Sequence, residues 1–219
     1  MKLVIGNKTY SSWSLRPWLL LSFFGLEFEE IQESLAEEGR QERFGQYSPT
    51  SKVPVLIDGD IVIWDSLAIC EYISEQYLDN KGWPADTLQR ATARAISCEM
   101  HSGFLGVRNE LPMNCPARRA VTLSETAQKD ITRIDQIWSS LTHKHRDNGP
   151  WLFGEFSIAD CFFAPVAFRF QTYNIELSVA AQNYCSHLLS NESTLRWLKD
   201  AQAETEVIPA DEAGTPVLL

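Results

Sequence analysis

The chain is short of positive charge. Its 219 residues carry 19 Lys and Arg against 29 Asp and Glu, a formal net charge of −10. That balance argues against a nucleic-acid partner or an anionic membrane surface, both of which require clustered cations. Cysteine is sparse as well: Cys70, Cys98, Cys115, Cys161 and Cys185 form an odd set with no Cys-x-x-Cys pair, which argues against a disulfide framework and a dithiol redox motif. There are four histidines, and His143 and His145 sit in a polar helix end, where cations suit the helix dipole and no metal site is expected. No apolar run approaches membrane-spanning length, and residues 1–6 are too short for a signal peptide. A cytoplasmic protein with reduced thiols is expected.

What is present divides into two halves. An apolar run at residues 3–5 leads into the loop Tyr10-Ser11-Ser12-Trp13-Ser14. A helical pattern over 15–24 follows, with Leu15, Trp18, Leu19 and Phe23 on one face, Pro17 in the first turn and Gly25 as the stop. Residues 28–34 read as a short strand and the charged stretch 37–46 as helix or loop. Residues 53–57 and 61–63 flank Asp58-Gly59-Asp60, a hairpin signal. Asp65-Ser66 then opens a helix to about Tyr77 whose apolar face holds Leu67, Ile69, Cys70 and Ile73. The order is βαβ followed by ββα with a mixed sheet, an α/β domain over residues 1–80. Residues 81–85 have linker chemistry, with the boundary near Trp83. From Thr87 onward no strand pattern survives: helices are expected over 87–109, 124–145, 158–173, 178–189 and 193–203. The second domain, 86–210, is therefore all-helical, and 211–219 is an irregular tail.

The serine loop carries the chemistry. A helix N-terminus offers free backbone N–H groups and a partial positive charge, and serines add donors without a counter-charge, so the loop suits an anionic sulfur or phosphate. Ser14 also reads as the N-cap of a helix beginning at Leu15. Lys52-Val53-Pro54 precedes a strand: either an ordinary trans proline opens an edge strand, or a cis bond exposes Val53's backbone to a peptide-like ligand. Asp65-Ser66 is a helix cap that could also hold an α-amino acid head, Ser66 taking the carboxylate and Asp65 the ammonium. Ser157 and Asp160 form a capping-box-like start to an apolar helix, a structural element.

Taken together, these motifs resemble the glutathione S-transferase superfamily. The thioredoxin-like order, the Val-Pro before the third strand and the acidic residue plus Ser at the third helix match it, as do Pro84-Ala85-Asp86…Arg90-Ala91 and Gly154…Ser157-Ile158-Ala159-Asp160. Ser11-Ser12-Trp13-Ser14-Leu15-Arg16 is similar to the Ser-Ser-Cys-Ser-x-Arg motif of the zeta class, with Trp13 where that class has cysteine. The resemblance implies glutathione as co-substrate, no metal, a homodimer, and Ser11 as the residue that activates the thiol, with Ser12 and Tyr10 as alternatives. It implies a glutathione site formed by Ser12, Trp13, Ser14, Arg40, Lys52, Val53, Pro54, Asp65 and Ser66.

A second substrate, a small electrophile, is expected against the helical domain. Leu88, Ala91, Ala95 and Cys98 make one face of its first helix, the apolar one, and Arg90, Arg94, Ser97 and His101 another. His101, Phe104, Arg108 and Asn109 are the candidate electrophile-site residues, with His101 and Arg108 favouring a polar or carboxylate-bearing substrate. The reaction expected is glutathione transfer, detoxification in kind. Isomerisation of the maleylacetoacetate type and a catalytically silent interaction protein are the alternatives.

Overall fold

The computed structural model describes residues 1–217. Strand β1 (Lys2–Ile5), whose Leu3, Val4 and Ile5 are fully buried, feeds helix α1 (Ser12–Phe23). Strand β2 (Glu29–Gln32), helix α2 (Arg40–Gly45), strands β3 (Val55–Asp58) and β4 (Ile61–Trp64) and helix α3 (Ser66–Tyr77) follow. The sheet order is β2-β1-β3-β4, with β1 parallel to β2 and antiparallel to β3, so the sheet is mixed as expected. Asp58 pairs with Ile61 across the hairpin, whose Gly59 takes a positive φ of 58°. Only glycine enters that region without steric cost.

Helices fill most of the second half: α4 (Thr87–Ser102), α5 (Leu105–Glu110), α6 (Glu125–His145), α7 (Ile158–Thr172), α8 (Val179–Ser190) and α9 (Glu192–Gln202). Helix α7 is its centre. Its side chains from Ile158 to Phe170 are buried, and it packs against α1, α4 and α8, joining the two halves through one core.

Three expectations are corrected here. The helix expected over 87–109 is broken, because Gly103 leaves the helical region for extended backbone at φ −107° and ψ −162°, which ends α4, and Phe104 turns to a φ of 57°. That turn puts the Phe104 ring in the core, 7 % exposed, a burial worth about 2 kcal/mol. A two-stranded ribbon, β5 (Arg119–Ala120) with β6 (Thr215–Pro216), exists where no strand was expected, and it takes in part of the supposedly irregular tail. Residues 218–219 of that tail lie outside the described residues. Finally, the apolar face of α4 is misassigned. Ala93, Ile96, Ser97 and Met100 are the buried positions, whereas Leu88 is 79 % exposed and Ala91, Ala95 and Cys98 are exposed too. Alanine and cysteine are small enough to sit on either face, so the period alone selected the wrong one.

Candidate active site

The N-terminus of α1 lies one turn earlier than the sequence suggests. Ser11 is the N-cap residue and the helix starts at Ser12, so Ser14 is a first-turn residue and not the cap. Its hydroxyl serves the loop: Ser14 Oγ accepts from the Gly6 amide at 3.2 Å and from Ser11 Oγ at 2.7 Å. Pro17 accordingly sits in the second turn, where it lacks the N–H that would bond the Trp13 carbonyl. The Trp13 and Ser14 amides find no partner among the described residues, leaving two donors of the helix terminus open beside the Ser11 hydroxyl. The loop passes close by: a Cβ at Gly6 would lie 3.0 Å from Ser11 Oγ and 2.6 Å from Leu35 Cδ2.

Tyr10, the alternative thiol partner, is turned elsewhere. Its hydroxyl donates to Glu212 Oε1 at 2.6 Å, and burial followed by that bond raises its pKa, so it stays protonated and occupied. Ser12 is buried next to Ser11.

Just before β3, the Val53–Pro54 bond is cis, with Val53 half-buried and Lys52 exposed. Asp65 has a φ of 77° and caps α3: its Oδ1 accepts from Leu67 N at 2.8 Å and Ala68 N at 3.3 Å. Its other oxygen, Oδ2, lies 3.1 Å from His101 Nε2. Arg40 is half-buried and pairs with Glu37 at 2.6 Å.

Sequence reasoning left Arg16 out of the site. It is 1 % exposed; its Nη1 lies 3.2 Å from Ser66 Oγ and 3.4 Å from His101 Nδ1, while its Nε has no partner among the described residues. The guanidinium is sandwiched, 4.1 Å from the Trp13 ring centroid and 4.4 Å from that of Phe162. A guanidinium has five donors, and among the described residues no carboxylate is bonded to this one. Burial is the main cause that pulls its pKa well below the usual range, and Arg108 adds to it. A signal was available: the run 15–21 is apolar apart from Arg16 and buried throughout, leaving the arginine no solvated face.

His101 links the two halves of the site. Its Nε2–H donates to Asp65, leaving Nδ1 to accept from Arg16, and its ring meets Trp13 edge-on at 5.1 Å. Desolvation outweighs the Asp65 charge and lowers its pKa, so the ring is neutral at pH 7 and the Asp65 contact is a hydrogen bond and not an ion pair. Arg108 lies 4.9 Å from the Trp13 ring, but its guanidinium also donates to Gly103 O at 2.9 Å and to the Met100 carbonyl, closing the end of α4. The other two electrophile candidates fall away from this group, Phe104 into the core and Asn109 onto an exposed helix face. Arg169, buried and with its pKa lowered to about 10, mainly by desolvation, donates to the Arg108 and Leu111 carbonyls. Three guanidiniums, of Arg16, Arg108 and Arg169, thus sit near one another. A cavity of about 870 Å³ beside Arg118, Gln171 and Ile175 shares no lining residue with this cluster, so size does not mark the site; donor chemistry does.

Comparison with known proteins agrees with the geometry. The model for the glutathione S-transferase N-terminal domain matches residues 10–76, and that for its C-terminal domain matches 122–202. Maleylacetoacetate isomerase of Rattus norvegicus is 30 % identical over 192 residues, 81 % of this chain and 82 % of that one. The chain belongs to the glutathione S-transferase family. A glutathione transferase homolog from Burkholderia, solved with glutathione bound, superposes with a TM-score of 0.72 at 23 % identity, covering 93 % of this chain and 98 % of that one. The holo structure of a bacterial zeta-class maleyl pyruvate isomerase gives 0.71 at 21 %, covering 94 % of this chain and 100 % of that one. Glutathione is the co-substrate of the family, and among the described residues no acidic, histidine or cysteine cluster could hold a metal ion.

Proposed function

We propose that this transferase activates the glutathione thiol with the Ser11 hydroxyl and delivers the thiolate to a carboxylate-bearing electrophile. The observation that carries the reading is the Ser11 hydroxyl at the start of α1, which donates only to a neighbouring serine, beside two open helix amides. A thiol of pKa about 8.5 is a few per cent ionised at neutral pH, and lowering it by ~2 units takes ~2.7 kcal/mol. One hydroxyl bond to sulfur plus the helix terminus is of that order. In use, Ser11 would exchange its bond to Ser14 for one to the sulfur, and the thiol proton would leave to solvent. Asp65 and Ser66 suit the γ-glutamyl head, and the Val53 backbone suits the peptide. Arg108, over the Trp13 ring, supplies positive charge suited to an anionic second substrate, which favours isomerase chemistry of the kind named for the rat relative.

The test is the pH titration of bound glutathione's thiolate absorbance. Ser11→Ala should raise the thiol pKa by about one unit and cut kcat at neutral pH about tenfold, with the dissociation constant of glutathione changed less than about threefold. An unmoved thiol pKa would remove Ser11 from the chemistry.

A homodimer belongs to the same reading. Strand β4 is a sheet edge whose Val62 and Trp64 are 40 % and 44 % exposed on one face, and the exposed small residues of α4 add a second unpartnered apolar surface. Sedimentation equilibrium at micromolar concentration should find a dimer, and Val62→Asp a monomer; a monomeric wild type refutes it.

A further inference from the structure

We propose that Glu204, just past α9, is a positioning residue for the thiol-binding loop, a role that rests on Ser11 contacting the thiol. The loop after β1 is polar and buried: Asn7, Lys8 and Thr9 are 2 %, 4 % and 5 % exposed. Its amides cannot all reach one another, and two of them are satisfied by one carboxylate 196 residues further along from Lys8. Lys8 N donates to Glu204 Oε1 at 2.6 Å, and Thr9 N and Thr9 Oγ1 donate to Oε2 at 2.8 and 2.6 Å. Gln32 Nε2, at 2.6 Å, completes four bonds to this one group. Such charge-assisted bonds to successive amides fix the peptide plane, because neither oxygen can follow a loop that turns.

The held segment is coupled to Ser11. The Ser11 amide bonds Asn7 O at 3.0 Å and the Tyr10 amide bonds Asn7 Oδ1 at 3.1 Å. Asn7 Nδ2 in turn donates to Glu206 Oε2 at 2.5 Å, so two carboxylates of one segment grip Asn7, Lys8 and Thr9. On the carbonyl side, Trp197 Nε1 donates to Lys8 O at 2.9 Å and Cys115 N to Thr9 O at 3.2 Å. The helical domain therefore sets where the Ser11 hydroxyl stands, although it contributes no atom there.

Positioning and direct electrostatics predict opposite signs. A nearby carboxylate disfavours a thiolate, so if Glu204 acted through its field, neutralising it would lower the thiol pKa. If it acts by holding the loop, Glu204→Gln loses an acceptor, the Ser11 hydroxyl strays from the sulfur, and the thiol pKa rises. The expected result for Glu204→Gln is a rise of about one unit and about tenfold lower kcat at neutral pH, with the KM for glutathione within about twofold. Added to Ser11→Ala, it should cause no further rise. An unchanged or lowered thiol pKa in folded Glu204→Gln, alongside a raised one in Ser11→Ala, overturns this role alone. No shift in Ser11→Ala overturns the Ser11 reading, and this role with it. Should Glu204→Gln not fold, Thr9→Val decides, since it removes one bond to the carboxylate and keeps the amide: a smaller rise supports the role, and none overturns it.

Discussion

Asp160→Ala is expected to lower the unfolding free energy by about 4 kcal/mol at pH 7. The carboxylate is fully buried and takes four donors: Leu152 N at 3.2 Å and the Tyr184 hydroxyl at 2.9 Å on Oδ1, Ser157 N at 2.8 Å and Ser157 Oγ at 3.1 Å on Oδ2. Alanine orphans all four in a dry interior. It also frees the start of α7, the helix against which α1, α4 and α8 pack, and whose first amide, Ile158 N, bonds Gly82 O of the inter-domain segment at 2.8 Å.

The penalty should depend on pH, with a sign that identifies the group. Burial raises the Asp160 pKa to about 6, although its four donors each favour the charged form. A folded-state pKa above the unfolded value means that stability from this group is complete below the unfolded pKa, near 4, and is lost as pH rises through about 6. The wild type therefore forfeits about 3 kcal/mol of this contribution between pH 4 and pH 8, and the variant does not. The cost of Asp160→Ala should be larger at pH 5 than at pH 7 in urea denaturation. A cost below about 1 kcal/mol at pH 7 would show that the neighbouring donors find other partners, and one that grows with pH would show that the folded state favours the charged carboxylate.

Local signals account for what could be read in advance. The β1 run, the Asp58-Gly59-Asp60 turn, the Asp65 cap and the Ser157…Asp160 pair each depend on residues within a few positions of one another, and each stands where its pattern put it. What could not be read depends on partners far along the chain. Tyr10 was a plausible thiol partner until Glu212 took its hydroxyl, and nothing near Tyr10 announces a glutamate 202 residues away. Glu204 and Glu206 carry no local signal, because their role as acceptors exists only once the segment after α9 crosses the loop after β1. Arg108 was expected at the electrophile site, yet its bonds to the end of α4 require the break at Gly103 that the helical period hid.

Arg16→Met should move stability and binding in opposite directions. As it stands, Arg16 is a buried cation with one hydroxyl and one imidazole nitrogen as partners, an unpaired Nε, and Arg108 and Arg169 adding repulsion. Replacing such a charge with an apolar side chain of similar length removes a desolvation cost, and Met can fill the slot between Trp13 and Phe162; a gain of about 1–2 kcal/mol in unfolding free energy is expected. The same charge stands behind Ser66 Oγ, which accepts from Arg16 and donates to no group among the described residues, so its proton can meet a ligand carboxylate. Losing it should weaken glutathione binding by about 2 kcal/mol, roughly thirtyfold in calorimetry. Arg108→Ala separates the second substrate from the first: it should spare glutathione affinity and reduce turnover of anionic electrophiles more than neutral ones. If Arg16→Met instead loses stability and keeps its glutathione affinity, the guanidinium is a packing element and the anion site lies with Arg108. If it gains stability while binding collapses, the protein retains an unpaired buried charge at a cost to its fold, which is what a site built for an anionic ligand requires.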